Sequence, residues 1–244
     1  MISEKTKATL VRLFKEQGIY KPADAIAERL AQKSVFMFVG ATCEGKNAVM
    51  EAITKLDDRF YIIGTQTSRP PRDSDDPAIY TYHKNTDTGL QKLLEKIEKR
   101  EMVQYAINLY SYFIYGSTID DYSGEYGLGD VFSSAVEDFR HLGFKRATAI
   151  TVISDPAIWL ARFKERFPVG HPQRRARRDE AIESFNWSLS QTGNDHCWVE
   201  NVDGQPEIAA QEVVQIAAGK LADNPDMVRD MVRASLQAAK DIKL

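Results

Sequence analysis

The segment from Gly40 to Asn47 carries the residue types that bind the phosphates of a nucleotide. It matches the pattern G-x-x-x-x-G-K-[ST] at every fixed position except the last, where asparagine replaces serine or threonine. Glycines let backbone N–H groups curl around an anion, and Lys46 would reach the β- and γ-phosphates. The candidate ATP-binding residues are therefore the eight residues of this phosphate loop: Gly40, Ala41, Thr42, Cys43, Glu44, Gly45, Lys46 and Asn47.

Two residues of this loop depart from what a phosphate site requires. Asn47 lacks the hydroxyl that usually ligates Mg²⁺. An amide oxygen can still approach a hard cation, directly or through water, so Asn47 is the candidate metal ligand. The carboxylate of Glu44 would repel phosphate, and we therefore expect it to point into solvent. The competing interpretation is a strand-to-helix turn that contains glycine and binds no ligand.

A second pair of cationic side chains lies further along the chain. Arg69 and Arg72 are three positions apart, with Pro70 and Pro71 between them. Because proline fixes its own φ angle, the two arginines form a stiff fork. Such a fork suits a second phosphate group, which arginine binds with paired N–H groups.

The order of these motifs resembles that of the guanylate kinase family. After the phosphate loop come Thr-Gln-Thr-Ser-Arg-Pro-Pro-Arg at 65–72 and Tyr-Thr-Tyr at 80–82. Met-Val-Gln-Tyr-Ala at 102–106, Tyr-Gly-Ser at 115–117 and an arginine-rich stretch at 174–178 follow. The resemblance covers residues 34–218. It implies a kinase that transfers the γ-phosphoryl group of ATP to GMP or a related nucleoside monophosphate, with Mg²⁺ bound to ATP.

The resemblance also implies a role for individual residues. The acceptor's phosphate would be held by a group of two arginines and two tyrosines: Arg69, Arg72, Tyr80 and Tyr115. Thr65 and Ser117 would contact the base, and Gln104 stands where the family reads guanine. Catalysis would fall to Lys46 together with two arginines of a mobile lid, Arg174 and Arg177. Arg166 would lie near the donor nucleotide.

Several departures from the family pattern leave other functions open. Gln104 replaces the glutamate that reads guanine, and Ser133-Ser134 stands where the family has its D-x-D motif. A non-catalytic binding module of guanylate kinase type is therefore one alternative. A kinase for a different acceptor, such as a pyrimidine or modified nucleotide, is another.

Hydrophobic periodicity predicts the elements that must position these residues. Val35–Val39 is a continuous apolar run, typical of a strand buried on both faces. Strands alternate with helices along the chain, which implies an α/β fold with a mostly parallel sheet flanked by helices, as in P-loop NTPases. We expect residues 65–87 to form a long loop or irregular subdomain, and Asp130–Ser133 to form a strand.

The predicted organisation has three parts. Residues 1–33 would be an N-terminal helical extension, 34–219 the guanylate-kinase-like domain and 220–244 a C-terminal helix. Within the domain, the part that binds the monophosphate would lie near 66–128. The arginine-rich lid would lie near 166–178.

Composition restricts the class of protein. The chain has 32 basic and 35 acidic residues and a net charge of −3, so we expect no nucleic-acid partner. Its two cysteines exclude a disulfide framework, and no apolar run approaches the roughly 20 residues that a membrane helix needs. The N-terminus is too polar for a signal peptide. We expect a cytoplasmic monomer or homodimer whose partners are ATP and a nucleoside monophosphate, with no membrane partner.

Overall fold

The computed structural model describes residues 2–72, 75–109, 111–221 and 225–243. Its α-helices are α1 Glu4–Glu16, α2 Asp24–Leu30, α3 Lys46–Leu56, α4 Asp87–Glu98, α5 Val136–Arg140, α6 Pro156–Arg166, α7 Arg174–Ser190, α8 Pro206–Ala217 and α9 Pro225–Lys240. Its strands are β1 Ser34–Val39, β2 Phe60–Ile62, β3 Thr65–Thr67, β4 Tyr80–Tyr82, β5 Met102–Asn108, β6 Phe113–Thr118, β7 Tyr126–Asp130, β8 Arg146–Ile153 and β9 His196–Glu200. Residues 222–224, within the predicted C-terminal segment, lie outside the described residues.

A five-stranded parallel sheet flanked by helices confirms the predicted α/β fold class. Its strand order is β2-β7-β1-β8-β9. Every residue of the central strand β1 is buried, as its apolar run predicts. The order places the carboxyl end of β1, where the phosphate loop begins, between the carboxyl ends of β7 and β8. In parallel α/β sheets this edge is where ligands bind.

The strand beside β1 differs from the prediction. Asp130 is the last residue of β7 rather than the first residue of a strand at 130–133. Gly127 and Gly129 lower the β-propensity of this segment, which is why the sequence pattern missed it. A Cβ atom at Gly127 would lie 3.0 Å from the side chain of Ile63, so the glycine permits close packing there. The shift places the Asp130 carboxylate at the carboxyl end of β7.

The structure contains a second sheet, of which sequence analysis predicted only some of the strands. Its strand order is β4-β3-β6-β5, in which β3 and β4 are parallel and β6 is antiparallel to both β3 and β5. The expectation that 65–87 is a long loop is therefore wrong at β3 and β4. Each of these strands has three residues, which is too short for an alternating pattern to be recognised.

The chain divides into two compact units. The first comprises Met1–Ser34, Tyr61–Gly127 and Glu137–Arg146, and the second comprises Val35–Phe60, Leu128–Val136 and Ala147–Leu244. In the first unit, Leu10 and Leu13 of α1 share a core with Leu90 of α4 and with Ile114 of β6. The N-terminal helix α1 is therefore packed into the core of the first unit.

The second unit has its own aromatic core. Trp159 and Phe163 of α6 pack with Phe185 of α7 and Val232 of α9, and all four side chains are buried. The amphipathic helix α9 thus covers α6 and α7. None of the helices described here combines the length and the apolar character needed to cross a membrane.

Candidate active site

The phosphate loop leaves β1 at Gly40 and enters α3 at Lys46. Gly40 has a φ angle of 155°, and a Cβ atom there would lie 2.7 Å from the carbonyl oxygen of Val152. Gly45 has a φ angle of 80°, and a Cβ atom there would clash with Nδ2 of Asn201. Both positions therefore require glycine. Cys43 also has a positive φ angle, of 74°, so left-handed residues recur through the turn, as in the backbone nests that bind anions.

Side chains from outside the loop hold its carbonyl groups. Trp159 Nε1 donates a hydrogen bond to the Thr42 carbonyl oxygen at 3.0 Å. Asn201 Nδ2 donates to the Glu44 carbonyl oxygen at 2.8 Å. The loop is therefore fixed before any ligand binds, which lowers the entropic cost of binding. Apart from their positions after β8 and β9, no sequence signal pointed to these two residues.

Arg162 lies beside the loop, whereas the sequence analysis proposed Arg166 as the arginine near the donor nucleotide. Arg162 Nη1 lies 3.4 Å from the Cys43 carbonyl oxygen and 3.3 Å from Ser154 Oγ, and Nη2 pairs with Asp203. Arg166 is exposed, with its guanidinium 5.6 Å from the centre of the Phe167 ring. The two arginines are one helical turn apart on α6, so spacing alone could not separate them.

Lys46 is the first residue of α3, and its side chain is directed back over the loop. Its Nζ donates hydrogen bonds to the carbonyl oxygens of Gly40 at 2.7 Å and Ala41 at 3.2 Å. Nζ also lies 3.6 Å from Asp130 Oδ1. The Lys46 side chain is 12% exposed and that of Asp130 is 53% exposed. The Lys46 ammonium and the accessible Asp130 carboxylate thus lie close together at the mouth of the loop. Sequence analysis did not predict Asp130 at this position.

Glu44 does not point into solvent, contrary to the expectation. Its side chain is fully buried, and Oε2 accepts a hydrogen bond from the backbone N–H of Ser154 at 2.6 Å. Burial raises the pKa of Glu44 to about 8, against the weaker opposite effects of Ser154 and Lys46. The carboxyl is therefore mostly protonated at neutral pH. In that state it brings no negative charge to the phosphate loop.

Five of the seven acceptor residues predicted from the sequence share one face of the four-stranded sheet. Residues directly opposite on neighbouring strands have their side chains on the same face. The cross-strand partners are Thr65 with Tyr80, Thr67 with Tyr115, and Gln104 with Ser117. The alternate residues of β5, Tyr105 and Ile107, face the core formed with α1 and α4. The sheet therefore gathers five predicted residues on the face opposite that core: Thr65, Tyr80, Gln104, Tyr115 and Ser117.

The side chain of Ser117 already has a partner. Its Oγ lies 3.0 Å from the hydroxyl of Tyr122, and both residues are buried. A hydroxyl can donate once and accept twice, so a contact from Ser117 to a base would share this oxygen. Gln104 is partly exposed on the neighbouring strand.

Arg69 and Arg72 differ in their surroundings. Arg69 is 5% exposed, and its Nη1 and Nη2 bind the two carboxylate oxygens of Asp75 at 2.7 and 2.8 Å. Its guanidinium also lies 4.8 Å from the centre of the Tyr80 ring. The backbone N–H of Arg72 donates to Asp75 Oδ2, whereas the Arg72 side chain is exposed. Arg69 is therefore buried and bound to a carboxylate, whereas the Arg72 side chain is exposed beside that ion pair.

The predicted lid arginines have contacts of their own. Arg174 is 5% exposed, and its Nε donates to the Lys243 carbonyl oxygen at 2.9 Å. Its Nη1 donates to the Phe167 carbonyl oxygen. This geometry argues against a catalytic role for Arg174, because the guanidinium is enclosed by packing between α6, α7 and the C-terminal segment. Arg177 is partly exposed and pairs with Glu180 at 2.7 Å.

The oxygen donors at the mouth of the phosphate loop suit Mg²⁺. Magnesium is usually held by one or two carboxylates together with water and substrate phosphates. Asp130 offers such a carboxylate, and Asn47, exposed in the first turn of α3, offers an amide oxygen. Across the part of the chain that the structure describes, no three His, Cys, Asp or Glu side chains form a metal-binding group. One carboxylate and one amide oxygen match the small number of protein ligands that Mg²⁺ usually has.

A parallel sheet with a glycine-rich turn between its central strand and a helix is consistent with a P-loop NTPase-like fold. No protein-family model matches the sequence, and no curated protein matches it. The chain is similar to the crystal structure of guanylate kinase from Anaplasma phagocytophilum, with a TM-score of 0.46 and 14% identity. That match covers 88% of this chain and 100% of the other. At this level of similarity the residues of the site, rather than the match, decide the function.

Proposed function

We propose that the protein is an ATP-dependent nucleoside monophosphate kinase of guanylate kinase type. The observation that carries this proposal is the phosphate loop, in which Lys46 begins α3 and lies 3.6 Å from the accessible Asp130 carboxylate. A turn that bound no ligand would not need a lysine and an exposed carboxylate at its mouth. The acceptor is GMP or a related ribo- or deoxyribonucleotide.

The residues of the second unit bind the donor nucleotide. The loop N–H groups and the N-terminus of α3 bind the phosphates of ATP, and Lys46 neutralises charge on the transferring phosphoryl group. Asp130 and Asn47 would hold Mg²⁺, which would supply positive charge to offset that of the ATP phosphates. Arg162 is the donor-side arginine in place of Arg166.

The residues of the first unit bind the acceptor. Arg69, Arg72, Tyr80 and Tyr115 hold its phosphate group, and Thr65, Gln104 and Ser117 contact its base. Arg177 is the remaining lid candidate, because it is partly exposed. The acceptor-binding part near 66–128 and the lid near 166–178 remain elements of this proposal.

The reaction needs little covalent chemistry from the protein. An oxygen of the acceptor's phosphate attacks the γ-phosphorus of ATP, and the bond from that phosphorus to the bridging oxygen of the β-phosphate breaks. A phosphate oxygen is already ionised, so no general base is required. The protein aligns the two phosphates and neutralises their charge.

A coupled assay of ADP release tests this proposal. ATP and Mg²⁺ are supplied with GMP, dGMP, AMP, UMP or dTMP in turn. Lys46→Ala should abolish turnover without unfolding the protein, because the ammonium acts mainly on the charge of the transition state. Lys55→Ala, an exposed lysine on the same helix, is the matched control. Wild-type turnover in Lys46→Ala would refute the mechanism.

A non-catalytic binding module is the second candidate function. Two contacts favour it: Arg69 is already paired with Asp75, and Lys46 donates to carbonyl groups of its own loop. Nucleotide binding without ADP release would identify the module. Turnover with a pyrimidine monophosphate alone would identify a kinase for a different acceptor. For either kinase we propose a cytoplasmic monomer or homodimer with no nucleic-acid or membrane partner.

A further inference from the structure

The carboxylate of Asp75 lies at the centre of a group of converging donors. Both of its oxygens accept from the guanidinium of Arg69, at 2.7 and 2.8 Å. Oδ2 also accepts from the Tyr82 hydroxyl and from the backbone N–H of Arg72, each at 2.6 Å. The side chain of Asp75 is only 9% exposed. Four donors directed at one anionic group make a complete oxyanion site.

These donors are of the kind that a phosphate group requires. A planar guanidinium, a phenolic hydroxyl and a backbone N–H are all recurrent phosphate ligands. The site also lies on the sheet face that carries the predicted acceptor residues, since the Arg69 guanidinium stacks on Tyr80 of β4. A carboxylate of the chain itself thus fills the position that the proposed function assigns to the acceptor's phosphate.

We propose that Asp75 is an internal competitor of the acceptor's phosphate group and a determinant of acceptor affinity and specificity. This inference rests on the proposed function, because it takes Arg69 as the phosphate ligand. A nucleoside monophosphate binds by displacing the Asp75 carboxylate from Arg69 and taking over its hydrogen bonds.

The competition selects acceptors by charge. A phosphate monoester carries about −1.5 to −2 charges at neutral pH and three acceptor oxygens, against one charge and two oxygens for a carboxylate. A phosphate can therefore replace Asp75 at Arg69, whereas a nucleoside without phosphate has no group that can do so. The same contact lowers affinity for every phosphorylated acceptor, because part of the binding energy is spent on displacement.

The increase in affinity expected on removal of Asp75 depends on how often the site is open, that is, how often Asp75 does not contact Arg69. Apparent affinity equals intrinsic affinity multiplied by the fraction of molecules in which the site is open. If Asp75 occupies the site in at least about nine molecules of ten, its removal tightens binding about tenfold or more. The ionised state of Asp75 is secure at neutral pH, since the hydrogen bond from Arg69 lowers its pKa well below the usual range.

Calorimetric titration with GMP, UMP and guanosine tests the proposal. The proteins are the full-length wild type, Asp75→Asn, Asp75→Ser and the control Asp76→Asn. The control removes the same charge one residue away, where the carboxylate accepts from the Ala78 N–H. We expect both Asp75 variants to bind a monophosphate about tenfold or more tightly. Guanosine binding and the affinity of the Asp76 control should stay unchanged.

The outcomes separate this inference from the proposed function. Equal or weaker monophosphate binding in folded Asp75 variants would show a purely structural ion pair and overturn the inference alone. If neither GMP nor UMP bound to any of the four proteins, the assignment of the acceptor site would be wrong, and so would the proposed function. A crystal structure of the wild type with GMP does not depend on variant folding. Phosphate in the place of Asp75 on Arg69 supports the inference, and phosphate bound elsewhere overturns it.

Discussion

Substitution of Glu44 by glutamine should change how the stability of the protein depends on pH. Burial raises the pKa of Glu44 from 4.5 to about 8 in the folded protein. The folded state therefore binds the proton more tightly than the unfolded state. The resulting stabilisation is fully present below pH 4.5 and is lost as the pH rises through about 8. The free energy of unfolding should fall across this window.

The magnitude follows from the difference between the two pKa values. Each pKa unit corresponds to about 1.4 kcal/mol, so the complete loss is on the order of 5 kcal/mol. Glutamine has nearly the same shape as glutamic acid, and its carbonyl oxygen can accept from the Ser154 N–H. It does not titrate, so Glu44→Gln should lack this slope. A new buried amide N–H without a partner would cost about 1–3 kcal/mol at every pH, which leaves the slope unaffected.

Urea unfolding between pH 5.5 and pH 9 measures both slopes. The control is Glu51→Gln, which changes an exposed carboxylate on α3 by the same chemistry. We expect the wild type and Glu51→Gln to lose several kcal/mol across the range while Glu44→Gln loses much less. Parallel profiles for all three proteins would refute the assignment of Glu44 as a buried, protonated carboxyl at neutral pH.

Three further predictions concern nucleotide binding and turnover. Asn47→Ser should keep or raise kcat, because the serine hydroxyl is the usual Mg²⁺ ligand at this position. Measurement of kcat at several Mg²⁺ concentrations checks this prediction. An inactive variant would contradict the role given to the Asn47 amide. Arg72→Ala should raise the KM for the monophosphate roughly tenfold or more, since a charge-assisted hydrogen bond is worth about 1.5–3 kcal/mol. The KM for ATP should not change, and a rise in that constant instead would reverse the assignment of the two sites. Gln104→Glu should raise the ratio of kcat/KM for GMP to that for UMP, because a carboxylate accepts from both N1–H and N2–H₂ of guanine, and an unchanged ratio would remove residue 104 from base recognition.

The parallel sheet and the strand–loop–helix turn from Gly40 to Lys46 could be predicted because their signals are local. A buried run such as Val35–Val39 and the fixed spacing of Gly40, Gly45 and Lys46 do not depend on distant residues. The α/β class followed from the alternation of strands and helices. By contrast, β3 exists through pairing with β6, whose residues lie far along the chain, and β4 exists through pairing with β3. No short window of sequence contains that pairing.

The surroundings of several residues of the candidate site depend on tertiary contacts that the sequence does not reveal. Asp130 became recognisable only when β7 was placed beside β1, and Arg162 only when the rotation of α6 was known. Glu44 was expected in solvent because charge dominated the prediction, whereas the fold buries it against Ser154. Arg174 was assigned to the lid from its arginine-rich neighbours, but the C-terminal segment encloses it. The sequence states which residue stands at each of these positions, but it does not state what each side chain contacts in the fold.

The two internal carboxylates predict that pH affects the two nucleotides differently. Glu44, which faces Lys46, Arg162 and Ser154, ionises near pH 8 and then places a negative charge beneath the phosphate loop. Asp75 stays ionised, because Arg69 holds its pKa well below the usual range. Phosphate groups complete their own ionisation near pH 6 and add no change above pH 7.5. ATP affinity should therefore weaken several-fold between pH 7.5 and pH 9, while monophosphate affinity stays constant.

Equilibrium titrations of ATP and of GMP at several pH values measure this difference. Glu44→Gln should bind ATP with an affinity that does not vary with pH in this range. The same variant should leave GMP binding as it is in the wild type, because Glu44 is not among the proposed acceptor residues. A loss of ATP affinity that persists in Glu44→Gln would assign the titration to another group. If ATP affinity and GMP affinity fell together, the pH dependence could not be assigned to Glu44 alone, since of the two carboxylates only Glu44 changes its charge in this range.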